Sequence, residues 1–179
     1  MKYKIPIHTH SYNTKYYLTH PWYYAKDIVT ASRNLYARAR KGYAWVDLWN
    51  FDDYLGEMVP NALDELADKS NGWPATKDWP EFEDWKAELH LMATLLRLCN
   101  VDWFEENNNF WKTFDEWRDR SILEPIKHLP GYEDYILTDD ELAQIDAELN
   151  KYHKISVATT IMRKKLFARL AYLYPSLWD

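Results

Sequence analysis

Glycine and cysteine are nearly missing from this chain, with four glycines and one cysteine among 179 residues. Sandwiches and barrels need frequent tight turns and period-two strands, and β-branched residues never form long alternating runs here. The lone Cys99 excludes an intramolecular disulfide framework and any cysteine-based zinc cage; it falls on an apolar stripe and reads as a buried thiol of a reducing compartment. No apolar run reaches the length of a membrane span, and "MKYKIPIHTH" has no apolar segment of a secretory signal. Basic residues number 22 against 28 acidic ones, a net charge of −6. Generic nucleic-acid binding needs the opposite balance, because phosphates must be neutralised. A Gly-rich phosphate loop, a G-x-S-x-G turn and an HExxH pair are also missing, which takes weight from the common enzyme classes.

What is abundant is aromatic: 10 Trp, 14 Tyr and 6 Phe. They recur at helical rather than strand spacing. The reading is a mainly α protein, a compact bundle of about five helices in a single domain over 1–179. It comprises an extended N-terminal arm at 1–20, a Trp-rich helical part at 21–105 and C-terminal helices at 106–179.

Thr19 or His20 caps the first helix, Pro21 suits its first position, and Gly42 suits its stop. Trp22, Ala25, Val29, Leu35, Tyr36 and Ala39 give it an apolar face, and Arg38, Arg40 and Lys41 complement the dipole at its end. A second helix spans about Phe51 to Lys69, capped by Asn50 or Asp47, with a kink or break expected at Pro60. Asp52 and Asp53 are then first-turn charges rather than an acid/base pair. Phe82, Trp85, Leu89, Met92, Leu96, Cys99 and Trp103 alternate three and four apart, the plainest helical stripe in the chain. Asn107 to Asn109 interrupt it before a helix carrying Phe110, Phe114 and Trp117. "TDDE" makes a capping box of Thr138 and Glu141. Leu142, Ile145, Leu149 and Tyr152 form the next stripe; Met162, Leu166, Leu170 and Leu173 form the last, with a junction near "HKIS".

Two groups of residues could carry chemistry. His8 and His10 share one face of an extended segment, so with His20 and an aspartate they are weak candidates for a metal-dependent hydrolase. The stronger group is cationic and aromatic. Arg33, Arg38, Arg40 and Lys41 lie beside Tyr43 and Trp45, and Arg163, Lys164, Lys165 and Arg169 form a second basic stretch. Arginine forks grip phosphates and aromatic faces stack on bases. Arg33, Arg38, Arg40, Tyr43, Trp45 and Arg163 are thus the candidate contacts of a nucleotide-like ligand, and no cofactor is implied.

The strings "THPWYYAKDI", "ARARKGYAWVDLWNFDDYLGEMVPNALDELADKSNGWP" and "FEDWKAELHLMA" resemble small Trp-rich accessory proteins encoded in bacteriophage and prophage genomes. The likeness covers about residues 17 to 97, departs at Lys41 where arginine is the expected residue, and stops before the C-terminal third. It implies a viral protein working in a bacterial cytoplasm against host defence. One route is non-enzymatic sequestration of a nucleotide signal; another is inhibition or regulation of a host defence protein. No membrane partner is implied, and self-association stays open.

Overall fold

The computed structural model describes residues 18–49, 51–99 and 109–177 and, within these, every side chain except those at 52, 53, 109, 110 and 176. The described residues are mainly helical and include no strand. Of the arm expected at 1–20, residues 1–17, with His8 and His10, lie outside them, as do Asn50, Trp103 and the Asp52 and Asp53 carboxylates. The chain divides into two compact units, Met1–Tyr54 and Leu55–Asp179, a finer division than the single domain expected from its length.

Helix α1 spans Pro21–Lys41 with proline in its first turn, as its punctuation predicts. Gly42 ends it at φ +81°, and its N–H donates to the Arg38 carbonyl at 2.8 Å. A left-handed residue satisfying an orphan carbonyl is the glycine's task here. The aromatic segment that follows is a short helix, α2, at Trp45–Trp49. Of the kink or break expected at Pro60 the break does not occur, and helix α3, Phe51–Lys69, runs unbroken through the buried proline. The residue four before it, whose carbonyl the proline ring meets, is Gly56, the easiest backbone to adjust.

The second unit is built around α4, Phe82–Leu98. Trp85, Leu89, Met92, Leu96 and Cys99 are buried, as their spacing requires, and so are Leu91, Ala93, Leu95 and Leu98 between them. A helix buried over more than half of its circumference, with one polar stripe through Glu83, Lys86, His90, Thr94 and Arg97, belongs at a centre rather than on a surface. Fully burying a leucine or methionine contributes about 1.5–3 kcal/mol, so this helix is the main source of stability. Helix α5, Asn109–Arg118, adds Phe114 and Trp117, and two 3-10 turns follow at Ser121–Ile126 and Tyr132–Tyr135.

The C-terminal element is two helices, α6 at Asp139–Asp146 and α7 at Lys151–Leu173. The Thr138–Glu141 capping box forms in full. The junction comes earlier than "HKIS", at 147–150, where Asn150 accepts the His153 N–H at 2.9 Å and starts a new helix. That restart resets the helical phase. Leu149 and Tyr152 therefore leave the stripe assigned to them and are 99% and 71% exposed, while Ile145, Met162, Leu166 and Leu173 reach the core.

Cys99 sits at the C-terminus of α4, where burial pushes its thiol up to about 12 against a modest opposing pull from Arg163. A thiol whose folded pKa is raised stabilises the fold in full below its unfolded value near 9 and loses that contribution as pH rises toward 12. Two outcomes are expected: Ellman's reagent reads almost no thiol on the native chain at pH 8 and one per chain in denaturant, and the urea midpoint falls between pH 9 and 12. Fast native labelling would show that the thiol is accessible.

Candidate functional site

In the first unit, α1 is turned the wrong way round for a core helix. None of its 21 residues is buried. The apolar face is open: Trp22 is 79% exposed, Val29 57%, Leu35 59% and Tyr36 66%. Its partly covered residues are Asp27, Ala31, Asn34, Ala37 and Arg38, mostly polar or small, and lie on the opposite side. The apolar face expected from the spacing is present, and it is exposed.

The corner after α1 is braced by a buried carboxylate. Asp47 accepts the Ala44 N–H at 2.6 Å and Arg38 Nε at 3.0 Å, and Arg38 Nη2 completes a two-pronged ion pair. Asp47 is the third residue of α2, and Ala44 before it has no side chain to cap with. The carboxylate thus makes the N3 half of a capping box, reaching back to the N-cap N–H, at the end of the helix where negative charge is favoured. This corrects its assignment as cap of the Phe51 helix. Tyr54 adds a second tie, donating to the Gly42 carbonyl at 2.6 Å.

What the brace holds is a pair of tryptophans. Trp45 and Trp49 lie one turn apart on α2, edge to face with centroids 6.2 Å apart, and are 71% and 75% exposed. Tyr43, Leu48 and Phe51 around them are also open. Tyr43, Trp45 and Trp49 thus face outward rather than into a core.

The six candidate ligand contacts therefore divide. Arg33, Arg40, Tyr43 and Trp45 are exposed in the first unit. Arg38 shares that unit, but its guanidinium is held by Asp47. Arg163 belongs to the second unit, where its Nε and Nη2 donate to the Cys99 carbonyl at 3.1 and 2.6 Å. Lys165 of the same basic stretch donates to the Ile136 carbonyl at 2.8 Å and pairs with Glu141 at 3.1 Å. The Glu141 carboxyl is lowered: burial raises it, but the Thr138 N–H and Lys165 together outweigh that. Arg169 is almost fully buried. Of the four cations in this stretch, Arg163, Lys164, Lys165 and Arg169, only Lys164 is exposed, so the stretch fastens the fold rather than forming a basic patch.

Arg169 leads to residues that sequence reading missed. Glu88, on α4 and completely buried, accepts Arg169 Nε at 2.5 Å and the Tyr135 hydroxyl at 3.2 Å, while Trp79 Nε1 donates to its other oxygen. Arg169 Nη2 also donates to the Pro130 carbonyl at 3.2 Å, and its guanidinium lies 4.7 Å from the Tyr172 ring centroid. Gly131 borders it at φ +83°, where any Cβ would meet Arg169 Nη1 at 2.5 Å. Burial, then the neighbouring Glu88 charge, holds the Tyr135 hydroxyl well above the usual phenol range. A carboxylate with three donors and no solvent contact is a structural lock, closed to ligands. On the helix surface His90 lies between Asp64 at 2.8 Å and Asp68 at 3.4 Å, and Arg97 joins Asp64 at 2.5 Å. Among the described residues no three His, Cys, Asp or Glu form a set that could hold a metal ion. His20, the metal candidate that is described, is hydrogen-bonded to Thr19 and packs edge-on against Tyr23.

Fold and surface together define a mainly helical protein whose N-terminal unit displays an apolar helix and a braced tryptophan pair. No helix among the described residues is long and apolar enough to cross a membrane. No known protein family matches the sequence, and neither a characterised protein nor a solved structure shows significant similarity to it.

Proposed function

We propose that this is a non-catalytic protein-binding protein, an inhibitor or adaptor whose anchors are Trp45 and Trp49. The observation that carries the reading is the pair itself: two large aromatics, mostly exposed, on a five-residue helix fixed by Arg38 and Asp47. Exposed tryptophan is costly for a free protein and is the side chain most enriched where binding energy concentrates. A corner already ordered spends little entropy on docking. The likeness to phage-encoded proteins makes a bacterial defence protein the expected partner and the host cytoplasm the expected place of action.

The test is recovery of one stoichiometric partner from bacterial lysate by the wild-type chain, followed by titration of that purified partner. Truncating Trp45 and Trp49 to alanine is expected to weaken the complex by about 2–4 kcal/mol per anchor. Wild-type affinity in the double variant would remove this reading. A second reading, sequestration of a nucleotide-like signal, keeps Arg33, Arg40, Tyr43 and Trp45, which are exposed in one unit. It predicts intact nucleotide released on denaturing protein that has been incubated with second messengers, and heat on titration; no heat with any anionic nucleotide would end it.

A further inference from the structure

We infer that the open face of α1 is covered by α1 of a second copy, running antiparallel, in a two-fold dimer. This surface is separate from the tryptophan pair, and the inference does not depend on the partner-binding reading. The exposed residues Trp22, Ala25, Val29, Ser32, Tyr36 and Ala39 follow one another three and four apart, forming a single continuous seam. Along it large and small side chains alternate strictly.

Their order is what selects the occupant. A two-fold axis between residues 30 and 31 sets Trp22 against Ala39, Ala25 against Tyr36 and Val29 against Ser32. Every large side chain then faces a small one, and each pair is repeated by symmetry, as a self-complementary interface requires. A parallel pair would stack Trp22 on Trp22 and Ala25 on Ala25, leaving alternate layers crowded and empty. On one flank of the seam Ile28 and Leu35, 50% and 59% exposed, meet their counterparts across the antiparallel pair. A bilayer surface would reward large side chains along the whole stripe; small ones at every second position instead let two backbones approach.

The other flank makes the inference testable by the sign of its salt dependence. Lys26, Arg33 and Arg40 are spaced seven apart, are exposed, and make no ion pair among the described residues. In the antiparallel dimer the two rows run along one edge and repel each other. Screening that repulsion strengthens the dimer, whereas an acidic helix from another protein on this face would be released by salt.

Sedimentation velocity of the full chain from roughly 1 µM to 0.1 mM is expected to show a monomer–dimer equilibrium. Raising the salt from about 0.05 to 0.5 M is expected to tighten it. Val29→Asp, an exposed position in the monomer, is expected to raise the dissociation constant by about 100-fold or more, because it places an unpaired charge in the seam. A Val29→Cys/Ser32→Cys chain is expected to oxidise to a covalent dimer under conditions that leave a Val29→Cys/Ala39→Cys chain uncrosslinked. A wild-type chain that stays monomeric overturns the inference. So does a dimer indifferent to Val29→Asp, one dissociated by salt, equal crosslinking of the two cysteine pairs, or a monomer that sediments with phosphatidylglycerol vesicles.

Discussion

Arg169→Met is expected to destabilise the protein by about 3–5 kcal/mol, a large share of the stability of a chain this size. The substitution keeps much of the side chain's length and apolar stem, so lost packing is the smaller part of the effect. The larger part comes from Glu88, which stays completely buried with no cation beside it. Trp79 and Tyr135 still donate to it, but neither carries charge. Chemical unfolding in urea measures the loss, and a second variant separates the ion pair from its surroundings. In Glu88→Gln/Arg169→Met the carboxylate is gone while an acceptor for Trp79 and Tyr135 remains. The double variant is therefore expected to recover at least about 1 kcal/mol of the single variant's loss. An Arg169→Met cost below about 1 kcal/mol would mean that the pair contributes no more than a surface ion pair does.

Arg169 also marks the limit of what could be read from residue order. Its neighbours Arg163, Lys164 and Lys165 make a basic run, and a basic run on a helix is ordinarily solvated. Three of the four cations point inward instead, toward the carbonyls of Cys99, Ile136 and Pro130 and the carboxylates of Glu141 and Glu88. Carbonyl acceptors leave no mark on a sequence, since every residue has one. Glu88 did leave a mark: it lies one position from Leu89 and three from Trp85, on the face of α4 that the apolar stripe sends inward. A carboxylate there must be paired, and the cation that pairs it comes from 81 residues away.

Helix ends were far more legible. Pro21 and Gly42 bound α1, and the Thr138–Glu141 box opens α6, because those signals act through backbone groups within one turn. The stripe from Phe82 to Cys99 identified the central helix because periodicity and burial coincide there. On α1 they part company. Periodicity says which side of a helix is apolar, and only the rest of the fold says whether anything covers it. The tryptophan corner was visible as a cluster, yet its brace was not. Asp47 read as an ordinary cap, and its ion pair with Arg38 depends on the chain reversing direction at Gly42.

That brace carries the second large effect. Asp47→Ala is expected to remove about 2–3 kcal/mol of local stability from the corner, because Arg38 and the Ala44 N–H lose a common buried acceptor. The side chains involved are 18% and 4% exposed, which puts the cost below that of the Glu88 pair. Hydrogen exchange locates the change. The backbone N–H of residue 47 donates to the Ala44 carbonyl at 3.1 Å and is expected to exchange about 30- to 150-fold faster in the variant, the ratio that 2–3 kcal/mol corresponds to. The near-ultraviolet dichroism from the edge-to-face Trp45–Trp49 pair is expected to weaken as α2 frays. Asp47→Asn keeps an acceptor for Ala44 but loses the charge facing Arg38, so it should fall between the two. If the brace is what orders the anchors, partner affinity will fall in the sequence Asp, Asn, Ala although Trp45 and Trp49 are untouched. Unchanged affinity in Asp47→Ala, together with faster exchange, would mean that the tryptophans bind equally well from a loosened corner.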